Sequence, residues 1–219
     1  MILFHGSDHE IKKPIYKFKS TTTDYGFGFY MTIDKELAKE WASNTFNMVG
    51  VVNIYELDTS NLKILDLTSD EYTPLHWLAL LANNRQIAES SLMVKMAKEF
   101  LISHYLINVD EYDVIIGYRA DDSYFAFVKA FLRNELPLDQ FDMAIRLGKL
   151  GKQYFINSQK AFSNLKFLDS EIVDIKTYSL KRTNRERKAI REYRKLMTSS
   201  KKMGKTLKDI MEENNENIR

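Results

Sequence analysis

DYGFGFYMT, residues Asp24 to Thr32, sets two glycines among aromatics directly ahead of a short apolar run. The pattern predicts a tight glycine turn delivering Phe29-Tyr30-Met31-Thr32 as a strand. Gly26-x-Gly28-x-Tyr30 is not a dinucleotide fingerprint, because no third glycine follows and no βαβ unit surrounds it. It reads either as an ordinary turn into an aromatic strand or as a turn that presents Tyr30 as a flat stacking surface. Upstream, Ile2-Leu3-Phe4-His5 predicts a first strand that ends at His5-Gly6-Ser7. Glycine at that place admits a close backbone or ligand, with an exposed amide edge able to pair with a carboxamide. Downstream, Asp34 caps a helix with Leu37, Ala38, Trp41 and Ala42 on one face.

Further along, Val51 to Leu57 alternates as a strand and Leu62 to Leu67 is another short one. From about Pro74 to Tyr105 the period turns helical. Val114-Ile115-Ile116 is a buried strand, and Asp121 or Asp122 can cap a helix running to about Arg133. A helix fits Leu138 to Leu147, ended by Gly148 and Gly151. Gln153-Tyr154-Phe155-Ile156 is strand-like, Ser158 caps a short helix, and residues 166 to 178 alternate as one or two last strands. Strands scattered among helices without regular βαβ alternation predict an α+β fold.

The chain of 219 residues is 44% hydrophobic and 28% charged, enough to bury a core. It has no cysteine, which removes disulfides, thiolate metal sites and thiol nucleophiles. The start shows no signal peptide and no apolar run reaches membrane-spanning length, so a cytoplasmic address without membrane association is expected. His9, His76 and His104 are too far apart for a two-ligand metal spacing, and neither a P-loop nor a nucleophile elbow occurs. Charge is unevenly spread. Residues 1 to 180 hold 19 basic against 24 acidic side chains, and residues 181 to 219 hold 13 against 6. Two parts are therefore expected: a body, residues 1 to 180, with a helical insert at about 73 to 106, and a basic helical tail, residues 181 to 219.

His5-Gly6-Ser7, then Tyr25-Gly26-Phe27-Gly28-Phe29-Tyr30-Met31, then a helix with small residues from Asp34 to Ala42, resembles the first half of poly-ADP-ribose-polymerase-like ADP-ribosyltransferases. With RADDSYF (Arg119 to Phe125) and LGKLGKQYFINSQKAF (Leu147 to Phe162), the chain looks closest to a small bacterial family of that superfamily, long filed as a domain of unknown function. The resemblance covers roughly residues 2 to 168. It implies a split β-sheet fold of the ADP-ribosyltransferase kind, with the insert and tail added to it.

It also implies NAD as an ADP-ribose donor, with no metal. Gly6 would hold the nicotinamide carboxamide through its backbone, Ser7 would add a hydroxyl, and His5 would bond the adenosine-side ribose. Tyr30, placed by Gly26 and Gly28, would stack on the nicotinamide. Gln153 stands where the family usually has Glu, a side chain that orients the ribose 2′-OH and favours positive charge on the sugar. Gln cannot act as a base. Single ADP-ribose transfer is therefore expected rather than polymer growth, unless Gln153 is merely a polar edge-strand residue. Asp121 or Asp122 either caps a helix or accepts the nucleophile's proton, and Arg119 either meets the pyrophosphate or pairs with a nearby acid.

The expected function is NAD-dependent mono-ADP-ribosylation of a macromolecule, protein or nucleic acid. The family suggests a toxin–antitoxin or anti-phage setting with a neutralising partner. The alternatives are an NAD glycohydrolase, a binding module for NAD or ADP-ribose, and a nucleic-acid-binding protein acting through its tail. The tail itself reads as a solvated helix docked by the stripe Ala189, Ile190, Tyr193 and Leu196, as a partner-binding helix, or as a nucleic-acid grip.

Overall fold

A computed structural model describes residues 1–16, 23–43, 49–88, 91–120, 122–147, 151–198 and 204–216, without the side chains of 122–124, 215 and 216. The fold is α+β, with two sheets. The first has the order β1 (Ile2–Ser7), β3 (Gly50–Leu57), β7 (Leu165–Val173), all antiparallel. The second has the order β2 (Phe29–Met31), β6 (Lys152–Ile156), β5 (Val114–Tyr118), β4 (Ile64–Asp66); only β4 and β5 are parallel. Among the described residues the sheets meet at one bridge. Phe4 N–H donates to the Thr32 carbonyl at 2.8 Å, and Thr32 N–H donates back to the Phe4 carbonyl at 2.9 Å.

α1 (Lys35–Ala42) lies against β1 and β3, started by Asp34, whose Oδ1 accepts from Glu36 N–H and Leu37 N–H. Its apolar face enters through Leu37, Ala38 and Ala42. Gly6 lets it sit close. A Cβ there would collide with the Ala38 carbonyl oxygen and lie 2.6 Å from Ala42 N. The helical stretch from Pro74 consists of two helices, α2 (Pro74–Asn84) and α3 (Leu92–Tyr105). With α4 (Asp122–Leu132) and α5 (Leu138–Ile145) they cover the second sheet and form the largest core, centred on Trp77, Phe127, Phe131 and Phe141. The short helix α6 (Gln159–Ser163) is capped by Ser158, whose Oγ accepts from Ala161 N–H.

Several boundaries differ from the sequence expectation. His5-Gly6-Ser7 lies inside β1, because β3 is long enough to pair Gly6 with Val52 and Ser7 with Val51. The last alternating stretch ends at Val173, and α7 (Ile175–Thr198) begins there, where the Asp174 carboxylate accepts from Thr177 N–H and hydroxyl. The fifth helix ends at Ile145 rather than Leu147; Gly148 lies outside the described residues.

α7 docks by its apolar stripe. Ala189 is fully buried, and the Tyr193 ring stacks on Phe127 at 4.2 Å. Lys181 and Tyr178 reach Glu36 on α1 and hold its carboxyl down to about 2. α8 (Leu207–Glu216) buries Leu207 and Ile210 in the same core. Among the described residues no helix is long and apolar enough to cross a membrane.

Gly6→Ala should cost roughly 1–3 kcal/mol, because the methyl must displace α1 backbone rather than a side chain. Urea denaturation of the two forms measures the loss, and a Gly6→Ala midpoint equal to wild type would show that α1 is not in contact with β1.

Candidate functional site

The site is built around the bridge between the sheets. His5 follows Phe4 on β1, and its Nδ1 lies 2.7 Å from the Tyr30 carbonyl on β2. A carbonyl only accepts, so Nδ1 carries the hydrogen and the neutral ring presents Nε2 as an acceptor. Burial lowers the His5 pKa to about 4, against the raising effect of the Tyr30 carbonyl; His9 lowers it further. Phe29 stacks on the imidazole with centroids 4.2 Å apart. His5 is thus a fixed, uncharged acceptor at neutral pH.

The backbone of Gly6 points away from β3. In an antiparallel strand, alternate residues direct N–H and C=O to the same edge. Phe4 directs its pair toward Thr32, so Gly6 does likewise one step further on. There β2 has already turned away. Among the described residues Gly6 makes no bond on that edge.

Ser7 has a different occupation from the one its sequence suggests. Its hydroxyl donates to the His9 carbonyl at 2.6 Å and accepts from Asn53 Nδ2 at 2.9 Å. Asn53 is fully buried, opposite His5 in the ladder, and its Oδ1 accepts from Ile11 N–H at 2.7 Å. Asn53 therefore pins residues 7 to 11 as one wall of a cleft of about 560 Å³, lined by His5, Ser7, Lys12, Lys13, Phe29 and Tyr30 among others. Sequence reasoning missed Asn53. Its only signal was a carboxamide on the Val51–Tyr55 face of a strand.

Gly26 has a φ of +106°, a conformation that favours glycine, and it makes the turn ahead of β2. Tyr30 closes this turn from below. Its hydroxyl donates to the Gly26 carbonyl at 2.9 Å and accepts from Tyr25 N–H at 2.9 Å. Its ring lies on Phe155 at 4.8 Å, and burial raises its pKa far above that of a free phenol. Tyr30 serves as a surface, not as an acid or base. At Gly28 a Cβ would run into the Phe155 ring and stand 2.5 Å from the Ile156 carbonyl, so the turn can press on β6 only with glycine there.

Behind the turn is a buried polar cluster. Asp24, 6% exposed, faces Arg85 at 2.7 Å in an ion pair that lacks the direction of a hydrogen bond. Its Oδ2 accepts from Ala120 N–H at 3.2 Å and from Gln153 Nε2 at 3.4 Å. Desolvation raises the Asp24 pKa; Arg85, the Ala120 amide, Gln153 and Arg119 all oppose the rise. Trp77 Nε1 donates to the Tyr25 hydroxyl and to the Tyr118 carbonyl, both at 2.9 Å, which locks α2 to this corner.

His5, Ser7, Gly28 and Tyr30 thus line one cleft, with Gly6 between two of its residues. Gln153 does not line it. Gln153 is 4% exposed and lies two residues from Phe155, on the face of the sheet that Tyr30 shares, with its amide turned into Asp24. A carboxylate attracts the NH₂ end, so the Gln153 carbonyl faces away from Asp24, and among the described residues it accepts no bond. Arg119 does not line the cleft either; its guanidinium lies over Trp41 at 4.3 Å. Asp121 lies outside the described residues, and so does the side chain of Asp122, which opens α4. Among the described residues no group of three or more His, Asp or Glu could hold a metal ion.

The family model described as "Protein of unknown function (DUF3990)" matches residues 1–167. Searches of curated proteins and of solved structures return no significant match.

Two outcomes follow from this geometry. Asp24→Asn leaves the Arg85 charge uncompensated and should cost roughly 3–5 kcal/mol. Adding Arg85→Met should recover part of it; a double-mutant cycle with no coupling would refute the pairing. His5 should titrate near pH 4 by NMR rather than near 6.5. Its folded pKa lies below its unfolded value, so the unfolded chain takes up the proton first as pH falls. The stability due to neutral His5 is present above about pH 6.5 and is lost as pH drops through 4. His5→Asn should flatten stability over that window.

Proposed function

The chain belongs to this family of unknown function, and we propose that it is an NAD-dependent mono-ADP-ribosyltransferase, with the cleft at the junction of the two sheets as its NAD site. The observation that carries the reading is the open backbone edge of Gly6 beside a neutral His5. A free N–H and C=O on one strand edge match the C=O and NH₂ of a carboxamide, the group that distinguishes nicotinamide. Two sheets joined at one bridge are what a split-sheet ADP-ribosyltransferase fold would require.

In this reading Gly6 holds the carboxamide and the Tyr30 ring supplies the flat wall. His5 Nε2 accepts from a ribose hydroxyl of the adenosine half. Lys13 takes the pyrophosphate. It lines the cleft and has no acidic partner among the described residues, whereas Lys12 pairs with Glu10 at 3.1 Å. Arg119, drawn toward Asp24 and Trp41, belongs to the scaffold. Gln153, buried and turned toward Asp24 outside the cleft, belongs to the scaffold behind the glycine turn. The nicotinamide–ribose bond then breaks, its electron pair passes to the pyridine nitrogen, and the acceptor attacks the ribose carbon. Its proton passes to a carboxylate, for which Asp121 and Asp122 are the nearest in sequence to the cluster. With Gln153 where the resembled family has Glu, no carboxylate at that position stabilises the cationic sugar or serves as a base, so single transfer is favoured over chain growth.

Incubation of the full chain with ³²P-labelled NAD and cell lysate should label a macromolecule. His5→Ala should reduce labelling at least tenfold, on the order of 1.4 kcal/mol. Tyr30→Ala should weaken NAD binding in calorimetry. Release of free ADP-ribose alone would mean water is the acceptor, and binding without turnover would leave a binding module. NAD that neither binds nor reacts would sink the proposal.

A further inference from the structure

α7 has a second face, which no element covers among the described residues. Its inner side is committed to the body. Lys181 pairs with Glu36 at 3.1 Å and Arg185 with Glu40 at 2.7 Å, both on α1, while Arg182 pairs with Glu186 of α7 itself at 2.9 Å. Further along, Arg187, Lys188, Arg191, Arg194 and Lys195 are all exposed. Their spacing of three and four residues puts them on one side of the helix, over a length of about 12 Å. Lys188 faces Glu192 at 3.9 Å, and the other four have no acidic partner among the described residues.

Five like charges on one short face repel one another, which destabilises an isolated helix. Here the helix is held by its opposite side, through Ala189, Tyr193 and Leu196. The body thus supports a linear array of cations that has no function in its own packing. We infer that this face binds the phosphate backbone of duplex nucleic acid, without reading its sequence.

The chemistry of the face selects that partner. Tyr193, the one aromatic side chain between Arg187 and Lys195, is turned onto Phe127 of the body, so bases of a single strand would find nothing on this face to stack on. Its apolar stripe is buried against the body, so no apolar side is left to enter a bilayer. Between Arg187 and Lys195 it offers none of the exposed aromatic or aliphatic anchors on which protein interfaces depend; Leu180 and Met197, the exposed apolar side chains of α7, lie beyond its two ends. A phosphate backbone needs only spaced cations, and about 12 Å covers some three or four phosphates of one strand.

The inference does not depend on the NAD reading. Fluorescence anisotropy of the full chain with a labelled DNA duplex of about 25 base pairs should show binding whose logarithm falls with log salt at a slope of roughly −3 to −4. Arg187→Glu/Arg191→Glu/Arg194→Glu should flatten that slope by two to three and weaken binding at least a hundredfold at low salt. The matching Arg→Lys triple should retain both. Thermal unfolding and NAD labelling should be the same in all three, because none of these residues touches the core or the cleft. Absence of duplex binding at low salt overturns the inference. So does binding that the Glu triple leaves intact, or tighter binding to vesicles of anionic lipid than to the duplex.

Discussion

The two hydrogen bonds between Phe4 and Thr32 are the constraint on which the rest of this structure depends. They join two sheets that otherwise diverge, and they do so at a single residue pair. Had the ladder run on, Gly6 would have been paired and the cleft closed. It stops where the Tyr30 carbonyl, the group opposite Gly6 in a continued ladder, meets the His5 imidazole instead of the Gly6 N–H. The open edge at Gly6, the imidazole contact with the Tyr30 carbonyl and the cleft wall all follow from that early divergence.

Two buried polar side chains then shape what the bridge leaves open. Asn53 satisfies Ile11 N–H, the His9 carbonyl and Ser7 Oγ, which makes an ordered wall of a segment with no secondary structure. Asp24 gathers Arg85, Ala120 N–H and Gln153 from three distant parts of the chain. Such groups are costly when unsatisfied and give directional specificity when satisfied. The glycine turn is therefore held from behind by charge and from below by the Tyr30 hydroxyl. Phe29 and Tyr30 line the cleft side of the turn, so the polar scaffold and the cleft surface are separate parts of one loop.

The helical tail shows a similar division. One face of α7 completes the core through Ala189 and Tyr193, and the other holds a row of cations with little neutralisation. The body fixes the helix, and the helix in turn fixes the spacing of the charges.

The sequence by itself determined much of the local architecture. Asp34 and Ser158 announce their helices by short-range capping, and the alternation of Val51 to Leu57 and the apolar run at Val114 announce strands. DYGFGFYMT announces a glycine turn into an aromatic strand, and Gly26 adopts the positive φ that such a turn demands. The order of these motifs singled out His5, Gly6, Ser7, Gly28 and Tyr30, which the fold brings together. Only the tertiary structure decided that Ser7 serves Asn53, that Gln153 turns toward Asp24 rather than into the cleft, and that Arg119 lies on Trp41. Capping and periodicity act over a few residues and are written in neighbouring letters. Satisfaction of a buried carboxylate or carboxamide joins groups 42 to 129 residues apart, and depends on strand register and burial that no local pattern encodes.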